Sequence, residues 1–174
     1  MPQTAPPFSE LLANCQRSAI HLEMRDSYDD PDEAPRVAAW KAGHRPDPND
    51  RGTWWRPWLD MVAEAVSRGV VMRRARIISE PVSEYTRYLY DGTFTNVAAG
   101  EEIRWLPRRN ASDIALPGND FWVFDGQVVR FGHFSGEGLY LGDEVDDRPE
   151  VAKLCTSAFE AVWDRAIPHD QYTI

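Results

Sequence analysis

Lysine is almost missing from this chain, with only Lys41 and Lys153 among its 19 basic residues. Acidic residues number 28, which leaves a formal net charge of -9. A protein that grips nucleic acid by itself neutralises phosphates with clustered Lys and Arg, so direct nucleic-acid binding is not expected. The acidity suits a basic protein partner or simple solubility. Cysteine is scarce too: Cys15 and Cys155 allow no disulfide scaffold and no Cys-based zinc site, although one bridge between them stays open. No apolar run reaches membrane-spanning length, and no basic-then-apolar leader begins the chain, so a cytoplasmic protein without a membrane segment is expected. Walker A, GxGxxG, GxSxG and HExxH patterns are lacking, as are internal repeats and low-complexity tracts. What remains is 174 residues, 43% hydrophobic, with seven Trp, six Tyr and seven Phe. That is enough to bury a real core in one domain spanning 1–174.

The patterning gives an element order. Ser9 is placed to cap a short helix carrying Leu11, Leu12 and Cys15. Residues 19–25 alternate, with Ile20, Leu22 and Met24 on one face and His21, Glu23 and Arg25 on the other, which predicts a half-buried strand. Residues 26–35, rich in Asp and Pro, read as a loop, followed by a short helix near 34–42 stopped by Gly43. Residues 44–53 form a second loop. Trp58, Met61, Val62, Ala65 and Val66 recur at helical spacing, with Pro57 in the first turn and Gly69 as the stop. Residues 70–79 read as a buried strand. Pro81 opens a short helix bearing Tyr85, Tyr88 and Leu89, and 101–106 is a strand. Asp125-Gly126 is a strong hairpin turn between strands 121–124 and 127–134. A further turn at 135–138 leads into 139–141. A last helix, capped by Asp146 or Asp147, carries Val151, Leu154, Cys155, Ala158, Phe159, Val162 and Trp163. The expected fold class is α/β (α+β), a mixed sheet flanked by helices, with 1–56 as an N-terminal extension and 57–167 as the core. The first seven residues read as a loose tail.

Catalytic signals are thin. His21 and Glu23 share a strand face and could ligate a metal with Asp26, as could His133 with a neighbouring carboxylate, but no third ligand has suggestive spacing. The acidic run 26–33 lacks calcium-loop spacing. Both cysteines fall on apolar helix faces, where an inert thiol is expected. No metal and no cofactor is expected. Arginine, by contrast, concentrates between residues 73 and 109. Arg76 and Arg104 lie inside predicted strands, where they either pair with Glu80, Glu84 or Glu102 or face an anion-accepting cleft.

Residues 58–163 resemble the phospholipase D-like fold in element order, in the hydrophobic strand ending Asp125-Gly126 and in the closing Phe159-x-x-x-Trp163-x-x-Ala166. In active members that strand carries His-x-Lys-x-x-x-x-Asp, whose His attacks phosphorus and whose Lys holds the phosphate. Setting the motif's Asp on Asp125 puts its Lys at Asp120 and its His at Gly118. Glycine offers no nucleophile and Asp120 would repel phosphate, so phospholipase D-type activity is predicted absent. Fold alone assigns no function.

A second resemblance spans nearly the whole chain. Leu22-Glu23-Met24-Arg25-Asp26-x-Tyr28, Pro57-Trp58-Leu59, Arg76-x-x-Ser79-Glu80-Pro81-x-x-x-Tyr85-x-Arg87, Ala99-Gly100-Glu101-x-Ile103-Arg104-x-Leu106-Pro107 and Asp120-Phe121-Trp122-x-Phe124-Asp125 are similar to an uncharacterised actinobacterial family. Its members are commonly encoded beside Xre-type helix-turn-helix regulators. The resemblance implies an accessory or sensor role with no chemistry attached. Its polar matches, Glu23, Arg25, Glu80, Tyr85, Arg87, Arg104 and Asp120, are candidate ligand-binding residues of a shared cleft. The expectation is a non-enzymatic regulatory or sensor protein that binds a small anionic ligand or a helix-turn-helix partner. The alternatives are an enzyme of other chemistry, with Glu23, Tyr85, Arg87 and Asp120 as acid–base groups, and a homodimeric scaffold anchored by exposed Trp40, Trp54 and Trp55.

Overall fold

The computed structural model describes residues 5–174; the first four residues of the expected tail lie outside it. Helix α1 (Phe8–Asn14) leads into β1 (Ser18–Glu23), then α2 (Ala34–Lys41), α3 (Pro57–Ser67), β2 (Val71–Ile78), α4 (Glu84–Ala98) and β3 (Glu102–Pro107). Strands β4 (Phe121–Phe124), β5 (Val128–Phe134) and β6 (Tyr140–Asp146) follow, then α5 (Pro149–Arg165) and the short β7 (Ile167–Pro168). One seven-stranded sheet runs β6-β5-β4-β1-β2-β3-β7. Strands β1, β2 and β3 are parallel; β4 pairs antiparallel with β1, and β5, β6 and β7 also join antiparallel. The mixed sheet flanked by helices is therefore as expected. Strand β1, from the segment read as an extension, sits at the centre of it.

Alternation along the strands gives the sheet two different faces. On one, Ile20, Leu22, Ala75, Ile77, Leu106 and Val123 pack against Cys155, Phe159, Val162 and Trp163 of α5. On the other, Ala19, Met72, Trp122 and Phe124 pack against Leu12 and against Leu59, Val62 and Ala65 of α3. Farther along this second face, Ile78, Ile103 and Trp105 cluster with Tyr172. Between those two apolar clusters the same face carries His21, Glu23, Arg74 and Arg76.

Several local expectations are corrected. Pro7, not Ser9, is the N-cap of α1, and Cys15 lies just past its end. Asp146 does not cap α5; Arg148 is the N-cap residue and donates to the Asp146 carboxylate. Leu154 is 53% exposed, its place in the buried stripe taken by Ala152. Met61 and Trp58 flank the buried stripe of α3, which is Leu59, Val62 and Ala65. Helix α4 is not short: Ser83 caps it by accepting from the Thr86 N–H, and it runs fifteen residues. Its later buried residues are Thr93, Thr95 and Asn96, which break the apolar period. Thr93 and Thr95 can be buried because their hydroxyls donate to the Leu89 and Gly92 carbonyls of the preceding turn. The cysteines are free and sit in clusters on opposite faces, so they form no bridge. Trp40, Trp54 and Trp55 are half-buried rather than exposed, and each indole N–H has a partner within the chain: Asp91, the Asp47 carbonyl and Asp60.

The hairpin turn stands where expected, with the return strand beginning at Val128 rather than Gln127. Asp125 (φ 54°) and Gly126 (φ 69°) both adopt the left-handed conformation. The Asp125 carboxylate accepts from the N–H groups of Gln16, Arg17 and Ser18. Burial works against its ionisation, but those donors outweigh burial and lower its pKa. Asp125 is thus a clasp that fixes the start of β1, not part of the polar patch.

Candidate functional site

The polar patch follows from strand parity. In β1 and β2, His21 lies beside Arg74 and Glu23 beside Arg76, and parallel neighbours in register point to the same face. All four therefore project toward α3 and α4. Glu23 (7% exposed) and Arg76 (4%) are buried. Arg74 donates to Glu23 Oε1 at 2.6 Å and to Glu101 Oε1 at 2.7 Å. Glu101, 2% exposed, also accepts from the Asn96 amide at 2.8 Å. Arg76 Nε lies 3.4 Å from Glu23 Oε2, and Nη1 donates to Thr93 Oγ1 at 2.9 Å. Burial alone would favour the neutral acid at Glu23, but Arg76 and Arg74 overcome it and bring its pKa down to about 2. His21 stacks on Trp122 with ring centroids 4.2 Å apart. Burial, reinforced by Arg74, lowers its pKa to about 3, so the imidazole is neutral.

Asp120 stands at the start of β4, 6% exposed. Its Oδ1 accepts from the Met24 N–H at 2.8 Å, and its Oδ2 accepts a short hydrogen bond from the Tyr28 hydroxyl. No basic side chain among the described residues forms an ion pair with it. Burial raises its pKa to about 6, the Tyr28 hydrogen bond opposes this, and the Glu23 charge adds to the rise.

These groups floor a cleft of about 770 Å³. The acidic segment after β1 and the start of α2 form one wall. There Glu33 accepts from the hydroxyls of Tyr85 and Tyr88, and Arg36 lies 4.0 Å from it. On the opposite rim Arg130 and Tyr140 both donate to Asp143. Arg56, the N-cap residue of α3, reaches in and donates to Thr95 Oγ1 at 3.2 Å. It has no carboxylate partner among the described residues, and burial followed by the Arg36 charge lowers its pKa.

Of the seven candidates, Glu23, Tyr85 and Asp120 line this cleft. Arg25 does not; it lines a smaller hollow of about 310 Å³ with Gly118 and Asp120, its guanidinium 5.2 Å from the Phe134 ring. Glu80 lies outside the cleft, 3.9 Å from Arg109. Arg87 is exposed. Arg104 is on the α5 face, donating to the Trp163 carbonyl at 3.0 Å and lying 4.3 Å from its ring, because it alternates with Ile103 and Trp105. The expected acidic partners of the strand arginines are likewise replaced: Arg76 pairs with Glu23, Arg104 forms no ion pair among the described residues, and Glu84 pairs with Lys41. Among the described residues no three His, Cys, Asp or Glu side chains converge as metal ligands, and no helix is long and apolar enough to cross a membrane. Tyr28, Arg56, Arg74 and Glu101 were not among the candidates. The alternation Arg74-Ala75-Arg76-Ile77 was the signal for one of them; nothing local in the sequence marks Arg56.

Residues 6–174 match the family described as a domain of unknown function, DUF6879. The chain belongs to that family. No match was found among curated proteins. Among solved structures, this DUF6879 chain is similar to the phospholipase D family member Nuc from Salmonella typhimurium: TM-score 0.52, 11% identity, covering 92% of this chain and 86% of that one. It is also similar to NucT from Helicobacter pylori, with TM-score 0.53, 11% identity and coverage of 92% and 87%. Those likenesses show a phospholipase D-like fold. A third similarity is to TrmBL2, an archaeal chromatin protein, at TM-score 0.47 and 15% identity; it covers 91% of this chain, which spans only 47% of that protein.

Proposed function

We propose that the cleft binds a small organic anion and that the protein acts as a non-enzymatic sensor or regulatory module. Arg56 carries this reading. It is a half-buried guanidinium in an aromatic-lined cleft, it forms no ion pair among the described residues, and the charges of Arg36 and Arg74 crowd it while Glu33 offsets them only in part. An anion there would offset the cost of burying that charge, and a guanidinium fork suits a carboxylate. Trp58 and Tyr88 supply flat apolar surface beside it. Phospholipase D-type phosphoryl transfer is disfavoured, since the resemblance sets Gly118 and Asp120 where that family has its nucleophile and its cation.

Calorimetric titration with phenylacetate and para-methylphenylacetate tests the proposal. Saturable binding is expected, weakened about tenfold or more in Arg56→Ala, as for loss of a charged hydrogen bond. Equal binding by wild type and variant would overturn it. One observation favours an enzyme of acid–base chemistry instead, namely a cleft carboxyl titrating near 6 at Asp120. That reading requires a probe to be converted to product at a rate that Asp120→Asn abolishes.

A further inference from the structure

The two ends of the cleft differ in sign. At the Arg56 end the acids are already engaged: Glu33 accepts from two tyrosine hydroxyls, and Glu23 and Glu101 hold Arg74 and Arg76, so Arg56 forms no ion pair among the described residues. At the other end Asp120 is a buried carboxylate with no ion-pair partner among the described residues. Arg25 is near enough for its charge to favour the carboxylate but forms no ion pair with it: its Nη2 reaches the Ser135 carbonyl at 3.5 Å and its guanidinium lies against Phe134. A buried charge is ordinarily paired, and Asp120 has only two neutral donors. Each of its oxygens keeps a second lone pair for another donor. Aromatic rings stand around it: Tyr28 packs edge-on to Phe134 at 5.2 Å and lies 5.9 Å from Tyr85. Such rings attract a cation through their faces.

We infer that the ligand is an aminocarboxylate, its carboxylate on Arg56 and its ammonium group, at the far end of the molecule, on Asp120 and the surrounding tyrosine and phenylalanine rings. This rests on the anion-binding reading of the cleft and adds the charge of the opposite end. A molecule bearing both charges would complete both unpaired groups without changing the net charge of the site. A simple dianion would place its second charge against Asp120 and Glu23. A simple amine would leave Arg56 as it is.

Matched probes test this. Para-aminomethylphenylacetate and para-methylphenylacetate differ only in the amine, and a length series of ω-aminocarboxylates with their methyl-ended counterparts varies the span. Wild type is expected to bind the best amine-bearing member about tenfold more tightly than its methyl counterpart, the advantage of one charge-assisted hydrogen bond. Asp120→Asn, of the same shape, should erase that advantage and bring the two members of each pair to equal affinity. Arg56→Ala should weaken both members of each pair alike. Equal affinity of amine and methyl probes for wild type overturns the aminocarboxylate assignment while the carboxylate site stands. Insensitivity of both to Arg56→Ala overturns the carboxylate site instead, and binding of no member overturns the two together.

Discussion

Neighbouring arginines of β2 show how differently the two faces of the sheet treat the same side chain. Arg73 points to the α5 face, where Glu160 holds it at 2.6 Å near the surface and the rings of Phe159 and Trp163 lie about 5 Å away. Arg74, one residue on, points the other way and is held, largely covered, between Glu23 and Glu101. The α5 face keeps its charges at the rim and fills its centre with Ile77, Leu106, Phe159 and Val162. The cleft face does the reverse, with charges at the centre and apolar clusters at both ends. A charged centre is costly unless every member is paired. The face that carries it is therefore the one where removing a partner should matter most.

Glu23→Gln should give the largest effect. It removes the counter-charge that buried Arg76 shares with the largely covered Arg74, a change that typically costs about 3–5 kcal/mol. Denaturant unfolding at neutral pH measures it. The ionised Glu23 is stabilised in the fold, since its pKa drops from 4.5 to about 2. Its contribution is complete above 4.5 and is lost as pH falls toward 2, so the gap between variant and wild type should close over that window. A gap that stays constant on acidification would show that the cost comes from packing rather than charge.

Asp120 sharpens the contrast because it has the opposite sign within the same cleft. Burial holds its pKa at about 6, above its usual 3.8. Its favourable contribution is complete below 3.8 and is lost as pH rises through 6. Asp120→Asn should therefore stabilise the protein by up to about 3 kcal/mol above neutral pH, with no gain in acid. Thermal melts across pH check this. A loss of stability at neutral pH would mean that the Met24 and Tyr28 hydrogen bonds require the carboxylate itself.

Much of this fold was legible because period and punctuation agree. Pro57 and Gly69 bracket α3, Asp125-Gly126 sets the β4–β5 turn, and alternation marks β1. Helix α4 was foreshortened because its buried face is threonine and asparagine, and apolar periodicity cannot register a side chain buried through its own hydroxyl bond. The site was legible where strand parity governs it, as at Glu23. It was illegible where it depends on the sheet order, since nothing near Arg56 in sequence announces that the start of α3 lies against Arg74 of β2 and Trp122 of β4. Arg104 was misplaced for a similar reason: an arginine in a buried strand has two faces open to it, and the choice is made by residues on its neighbours.

The smallest effect should come from Glu160→Gln on the α5 face. Arg73 is partly exposed and Glu160 more so, and such pairs contribute no more than about 1 kcal/mol, screened by salt. Arg73 also keeps its ring contacts with Phe159 and Trp163 when the acid is gone. Unfolding at low and high salt compares the two faces directly. The Glu160→Gln cost should vanish in high salt, while that of Glu23→Gln should persist because its partners are shielded from ions. A Glu160→Gln cost as large and as salt-resistant as that of Glu23→Gln would erase the distinction between the faces, and with it the argument that the charged centre belongs to the cleft side alone.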